Sequence, residues 1–246
     1  IDGDRVILAP AGTDVLMTAL DCETGETVWK TPNPRGWGMT HSSIVTMEFY
    51  DQRMYLYCAS KGVVGVAAED GKEMWQTPEW KIGIANIPSP LPLPGQKIFL
   101  TGGYNAGSVI LELTEEGETI VPVVASRIAP AVFSSEQHTP ILYEGHLYAV
   151  RPDGQLTCAS LDGQVVWTSG AAETFGLGPF LIADGLIYVM DDDGKLAMAP
   201  ASPGGFKKLG AAQIILGGHD AWGPIALAGG RMIGRDMRKM VCLDVR

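Results

Sequence analysis

Gly25-Glu-Thr-Val-Trp29 returns as Gly71-Lys-Glu-Met-Trp75 and again as Gly163-Gln-Val-Val-Trp167. The glycines fall on a register that Gly117 shares, so that positions 25, 71, 117 and 163 are each 46 residues apart. The Gly117 copy alone lacks the ring and has Val121 in its place. A fixed period of this length means one supersecondary unit copied along the chain, which fixes the architecture before any single residue is weighed.

The clearest copy runs over residues 138–170. It opens on Thr139-Pro-Ile-Leu-Tyr143, turns at Glu144-Gly145, continues through His146-Leu-Tyr-Ala-Val150, and turns again at Asp153-Gly154. Gln155-Leu-Thr-Cys-Ala-Ser-Leu161 and Gln164-Val-Val-Trp-Thr168 complete it, joined at Asp162-Gly163. Asp-Gly pairs supply the positive φ that tight hairpins need, and the segments between them are rich in β-branched and aromatic residues. The same grammar opens at Ser43, Ile87 and Gly178, with Pro90, Pro140, Pro179 and Pro224 at one equivalent place near the start of a first strand. No amphipathic helix of three turns is visible. The reading is all-β: a β-propeller of four-stranded antiparallel blades, which are stable only when packed face to face.

Following the period outward gives three strands in residues 1–32 (near Val6-Ile-Leu8, Leu16-Met-Thr-Ala-Leu20 and Thr27-Val-Trp29) and three more between Ala221 and Val245. About five and a half blades result, expected to form one domain over residues 1–246. A ring closes on whole blades, so further sequence is expected before Ile1.

Hydrophobic residues make up 46% of the 246 residues, ample for a core of this kind, and the mean hydropathy of +0.11 fits few polar surfaces. A net charge of −10 argues against nucleic acid and anionic membranes, which attract basic proteins. No apolar run approaches the roughly 18–20 residues that span a bilayer. Cys22, Cys58, Cys158 and Cys242 form no C-x-x-C pair and read as packing or turn thiols.

Ala19-Leu-Asp21-Cys-Glu-Thr24-Gly25-Glu-Thr-Val-Trp29 resembles the tryptophan-docking motif of the pyrroloquinoline-quinone (PQQ) type repeat, A-x-D-x-x-T-G-x-x-x-W. Ala67-Ala-Glu69-Asp70-Gly71…Trp75 and Ala159-Ser-Leu161-Asp162-Gly163…Trp167 are shortened copies. Gly62-Val-Val-Gly-Val66, Ala85-Asn86-Ile-Pro-Ser-Pro90 and Val241-Cys-Leu-Asp244 also look like the PQQ-like repeat proteins of exported bacterial origin. The resemblance covers essentially the whole chain. It takes in quinoprotein dehydrogenases and the outer-membrane assembly lipoprotein that shares their propeller. It implies eight blades, hence two to three missing before Ile1, and a periplasmic or cell-envelope location. It also implies structural roles for Gly25, Trp29, Gly71, Trp75, Gly163 and Trp167. Quinoprotein dehydrogenases hold calcium with carboxylate and amide oxygens and use an aspartate base, often beside a disulfide of adjacent cysteines. No such set maps onto this sequence.

Propeller sites lie where loops enter the innermost strand of each blade. Those loops here carry Arg35, Trp37, His41, Asn86, His138, His219 and Trp222, a set suited to a polar ligand or a peptide. The separation of His41, His138 and His219 around the repeat speaks against a shared metal. Asp191-Asp-Asp193-Gly194 lacks calcium-loop spacing and reads as a solvated hairpin turn. Nucleophile-elbow, Walker and paired-carboxylate motifs are absent. The expectation is therefore a monomeric, exported, non-catalytic propeller that binds a protein or small polar ligand, with no cofactor and no metal. The alternative is a quinoprotein alcohol or sugar dehydrogenase, holding PQQ and calcium, whose base lies in sequence before Ile1.

Overall fold

The computed structural model describes residues 1–246, folded as 22 strands in six antiparallel sheets. Each strand pairs only with its neighbours in sequence, which short turns impose. Two compact units result, Ile1–Ile128 and Ala129–Arg246. The first holds a three-stranded sheet, β1 (Arg5–Leu8), β2 (Val15–Asp21) and β3 (Thr27–Pro32), and two four-stranded ones. These are β4 (Val45–Phe49), β5 (Gln52–Ala59), β6 (Gly62–Ala67) and β7 (Glu73–Thr77), then β8 (Leu91–Leu93), β9 (Lys97–Gly102), β10 (Gly107–Glu116) and β11 (Thr119–Ile128). The second unit begins with β12 (Ile141–Tyr143), β13 (His146–Val150), β14 (Leu156–Ala159) and β15 (Val165–Thr168). It continues with β16 (Phe180–Ala183), β17 (Leu186–Met190), β18 (Lys195–Pro200) and β19 (Gly210–Gln213), and ends on β20 (Ala226–Ala228), β21 (Arg231–Arg235) and β22 (Met240–Asp244).

The opening strands start later than the sequence pattern implies. Pairing begins at Val45, Leu91, Ile141 and Phe180 rather than at Ser43, Ile87, Thr139 and Gly178. Pro90, Pro140 and Pro179 stand immediately before the first paired residue. Proline has no N–H to give a ladder, so pairing starts after it.

Strand β5 shows how the core is built. Met54, Leu56 and Cys58 point to one face and pack with Ile98, Leu100, Val109 and Leu111 of the third sheet. Tyr55, Tyr57 and Ala59, one residue out of phase, point to the other and pack with Leu16, Met17 and Trp29 of the first sheet. Side chains alternate along a strand, so a sheet covered on both faces must be apolar where it is covered, as β5 is from Met54 onward and β6 is along its length. In the second unit Tyr148, Leu156 and Cys158 meet Phe180, Ile187 and Val189 in the same way.

The docking turns have a common anatomy. The Gly25 N–H donates to the Asp21 carbonyl, that of Gly71 to Ala67, and that of Gly163 to Ser160. In the full-length copy the Asp21 carboxylate accepts from the Thr24 and Glu23 N–H groups and from the Thr24 hydroxyl. Those donors, Thr24 first, hold its carboxyl below the usual carboxylate range. A one-residue bulge then precedes each ring: Val28, Met74 and Val166 are the unpaired residues before Trp29, Trp75 and Trp167. The bulge twists the fourth strand and aims the indole at the following sheet. Trp29 Nε1 donates to the Ala68 carbonyl at 3.2 Å, and Trp167 Nε1 to the Ser202 carbonyl at 2.8 Å, each just past the third strand of the next sheet.

Gly117 does not belong with the other three glycines. It is the first of two residues at the tip of the β10–β11 hairpin, where φ is +66°, as a type II′ hairpin turn needs. Val121 pairs with Thr114 well beyond the sheet's bulge, which falls at Ala125. The residue that follows that bulge, as a tryptophan does elsewhere, is Ser126, opposite Ile110. The hairpin has been lengthened, and the 46-residue spacing at this copy is coincidental. With β10 still running as strand where its neighbours turn, no carbonyl is presented to Trp75, whose Nε1 instead lies 3.3 Å from Met54 Sδ.

Gly25 and Gly71 separate backbone strain from ring packing. Both have positive φ, +71° and +75°, but a Cβ on Gly25 meets nothing within 4 Å, whereas one on Gly71 falls 2.4 Å from Trp29 Cε3. Both alanine variants incur the backbone cost. Gly71→Ala adds overpacking, about 1–3 kcal/mol. Urea unfolding is expected to place Gly71→Ala below Gly25→Ala by that margin, and equal midpoints would remove the docking role of the ring.

Candidate functional site

The loops that enter the first strand of each sheet are tied down by their own side chains. In the first unit the loop 33–44 is organised by Asn33, which is itself buried. Its Nδ2 donates to the carbonyls of Gly12 and Trp37, and its Oδ1 accepts the Trp37 N–H. Trp37 is 5% exposed, and its ring lies against Gly62, where a Cβ would fall 2.6 Å from Cη2. The indole therefore serves the core and offers no open face to a ligand. Arg35 stacks on that ring at 5.0 Å and pairs with Glu73, a cation held by a π face and a carboxylate together. The loop is anchored further on, where the Gly38 N–H donates to Ser60 Oγ and the Thr40 N–H to the Tyr57 hydroxyl.

His41 and Asn86 meet through the backbone, the His41 N–H donating to the Asn86 carbonyl at 3.1 Å. Their side chains diverge. The imidazole is exposed, while the Asn86 amide is 2% exposed and faces the thiol of Cys58. Burial pushes that thiol up to about 12, so it stays protonated and unreactive.

In the second unit Asp192 links two of the entering loops. Its Oδ1 accepts the Leu177 N–H at 2.9 Å and Trp222 Nε1 at 3.0 Å, and its carbonyl accepts the Ala221 N–H. His138 reaches the same place from the preceding loop by bonding the Leu177 carbonyl, and burial holds its imidazole below the ordinary histidine value of 6.5. His219 turns elsewhere. Its ring contacts the neighbouring Asp220, and its backbone approaches Asp236, whose carboxyl is held low by the Arg238 N–H, then by those of Lys239 and His219. The seven sequence-derived residues are thus divided: Arg35 with Trp37 and His41 with Asn86 in the first unit, His138 with Trp222 through Leu177 and Asp192 in the second, and His219 apart from them. Sequence reasoning missed Asn33 and Asp192. Asp191 does close the expected hairpin, accepting from the Asp193 and Lys195 N–H groups, but Asp192 leaves the turn to bind the loops beside it. The adjacent aspartates carried no sign of which would do so.

Comparison with known proteins agrees with this geometry. The PQQ_2 sequence family, described as outer membrane protein assembly factor BamB, matches residues 1–161. The chain belongs to this family. BamB of Yersinia pestis is 24% identical over 240 residues, covering 77% of this chain and 60% of the relative, so the chain spans under two thirds of that protein's length. The crystal structure of BamB from Moraxella catarrhalis superposes with a TM-score of 0.51 at 14% identity, over 98% of this chain and 79% of that one. The β-propeller domain of Myceliophteria thermophila Cps50 (Swd1) gives 0.63 at 11% identity, over 98% and 83%. The computationally designed Ika8 protein gives 0.55 at 9%, over 100% and 82%. At these identities the structures show the fold alone, a β-propeller.

Within this BamB-like frame the side chains able to hold a metal are dispersed. No three His, Cys, Asp or Glu side chains come together to hold an ion. The carboxylate best placed in a loop layer, Asp192, already accepts two N–H donors, and the four cysteines are free, two of them buried.

Two outcomes follow for the loop layer. Asp192→Ala leaves the Leu177 N–H and the Trp222 indole without their acceptor, expected to cost about 1–3 kcal/mol and to speed amide exchange at Leu177. Unchanged exchange there would show that Asp192 does not hold the loop. His138 has a folded-state pKa below its unfolded value, so its contribution is complete above pH 6.5 and is lost as pH falls from 6.5 toward the folded value. His138→Gln is expected to flatten the urea midpoint across that window, and a wild-type slope in the variant would remove the effect.

Proposed function

We propose that this chain is a non-catalytic, exported binding module that takes part in outer membrane protein assembly by docking a protein partner on its strand-entering loops. The observation that carries this reading is the contrast within those loops. Asn33, Arg35, His138 and Asp192 are spent on holding the loops together, while apolar side chains at or beside the loop tips face water. Met39, between the anchored Gly38 and Thr40, is 69% exposed, and Ile84, on the neighbouring loop, is 74% exposed. In the second unit Leu216, on the loop that enters β20, is 75% exposed, and Met237, on the adjoining β21–β22 turn, is 64% exposed. Apolar side chains held outward on an ordered frame spare the cost of ordering backbone on binding and gain burial when a partner covers them. Methionine adapts its shape to such a partner.

Family membership supports the assembly role, and a periplasmic or cell-envelope location goes with it. The proposed role needs neither PQQ nor calcium. No helix of the structure is long and apolar enough to cross a membrane.

The test is site-specific photocrosslinking in the cell envelope, with the crosslinking residue at position 39 or 84. Both positions are expected to capture a component of the outer-membrane assembly machinery, and Ile84→Glu beside a crosslinker at 39, or Met39→Glu beside one at 84, is expected to reduce capture at least tenfold while leaving the urea midpoint unchanged. Capture that survives these variants would overturn the docking site. Tight uptake of PQQ with calcium, accompanied by dye-linked oxidation of alcohols or sugars, would overturn the non-catalytic reading.

A further inference from the structure

At the other end of the sheets of the first unit, away from the strand-entering loops, lies a groove of about 940 Å³. It is bounded by the β4–β5 turn, the β6–β7 docking turn and the tip of the β10–β11 hairpin. The hairpin wall is the part of the third sheet that departs from the repeat. The ladder runs on past the position where the first two sheets turn, from Leu111 opposite Val124 out to Glu116 opposite Thr119. In repeat proteins, additions to single repeats collect on binding faces.

The extension gives the groove two characters. Met74, the bulge residue before Trp75, and Ile120 contribute an apolar surface that continues into the core between the second and third sheets. Around it stand Asp51, Glu69, Asp70, Glu115 and Glu118, all exposed. None of these five carboxylates takes part in an ion pair. Arg53 is held by Asp2 and Glu48, and Glu73 is held by Arg35. Arg53 and Lys72 are the groove's cations, so its field is strongly negative, and between low-dielectric walls such a field is focused.

We infer that this groove is a second docking surface, separate from the strand-entering loops, and that it takes an extended segment of a partner protein in which lysine or arginine alternates with apolar residues. Alternation fits because an extended chain presents successive side chains to opposite sides, one set to the acidic rim and the other to Met74 and Ile120. Charge complementarity selects this occupant over an acidic or purely apolar segment, and sets the association rate more than the final affinity.

The experiment uses the whole chain and a synthetic twelve-residue peptide of repeated Lys-Val-Lys-Thr, followed by fluorescence anisotropy at low and at moderate salt. Glu69→Gln, Glu115→Gln and Glu118→Gln combined are expected to weaken binding at least tenfold at low salt. Glu136→Gln, Glu144→Gln and Asp184→Asn combined make the same change in net charge elsewhere and are expected to leave it within twofold. All six positions lie outside ion pairs, and urea midpoints verify that both triple variants are folded. Replacing valine by serine in the peptide is expected to weaken binding at least threefold. Equal losses from the two triple variants would reduce the attraction to overall charge and overturn the inference. So would indifference to the serine replacement, or no binding. A chain that dimerises by itself in sedimentation, and becomes monomeric in the groove variant, would overturn it in favour of a second copy. The Met39 and Ile84 crosslinks are untouched by any of these results, so the two surfaces fail separately.

Discussion

Every sheet in this chain is too thin to bury its own side chains, and within each unit the structure depends on one sheet being covered by the next. The indole at the end of the fourth strand is where that dependence is most concentrated. A tryptophan ring buries on the order of 150–250 Å², and Trp29 and Trp167 add an N–H bond to a carbonyl of the neighbouring sheet. The bond lets a polar atom be buried without penalty and fixes the ring's position along the neighbour. The bulges at Val28 and Val166 make it possible, because a regular strand of the same length would direct the ring differently. Turn, bulge and indole are thus one device, and the glycine supplies the space it closes on.

Trp75 shows what happens when the device meets a neighbour that has changed. The third sheet keeps its core, with Ile98, Leu100 and Leu111 packed as their counterparts are elsewhere, but its third strand no longer turns where a carbonyl is needed. The ring stays buried, and its N–H falls back on Met54 Sδ, a weaker acceptor. Area burial alone therefore suffices to keep the ring in place. The same change projects a hairpin beyond the sheet and creates a groove, so a loss of regularity in the repeat is also a gain of surface for recognition.

The sequence was most legible where geometry is dictated by short-range chemistry. Asp-Gly turns, alternating apolar faces and the docking glycines gave the strand order and the division into three-, four- and three-stranded sheets. Strand starts were less legible, since a proline marks where pairing cannot occur without stating how soon after it does. Gly117 misled because spacing is blind to an insertion followed by a compensating deletion; only the ladder register shows that Ser126, not Val121, follows the bulge. The loops were least legible. Trp37 has the composition of a ligand platform, but Asn33, four residues earlier, folds it inward. Asp192 is indistinguishable in sequence from Asp191 and Asp193, and its role comes from Leu177 and Trp222, which are distant in the chain. Such roles belong to tertiary structure and leave no local pattern.

The family match and the fold do not end at the same place, and the difference is physical. The sequence match covers residues 1–161, whereas the structural likeness to propellers covers 98% or more of the chain. The docking copies begin at residues 19, 67 and 159, so the recognisable signal fades as the last copy begins. Beyond it the β18–β19 ladder runs without a bulge, with Gly210 opposite Met198 at the place where Trp167 stands opposite Cys158 in the sheet before. Phe206, between those two strands, lies 6.0 Å from Trp167 and covers it. Face-to-face burial is the constraint that the fold obeys throughout, and the tryptophan motif is one solution to it. A sheet freed from that motif keeps its packing while its turns change, which leaves the ends of the sheets, where the proposed docking surfaces lie, open to vary.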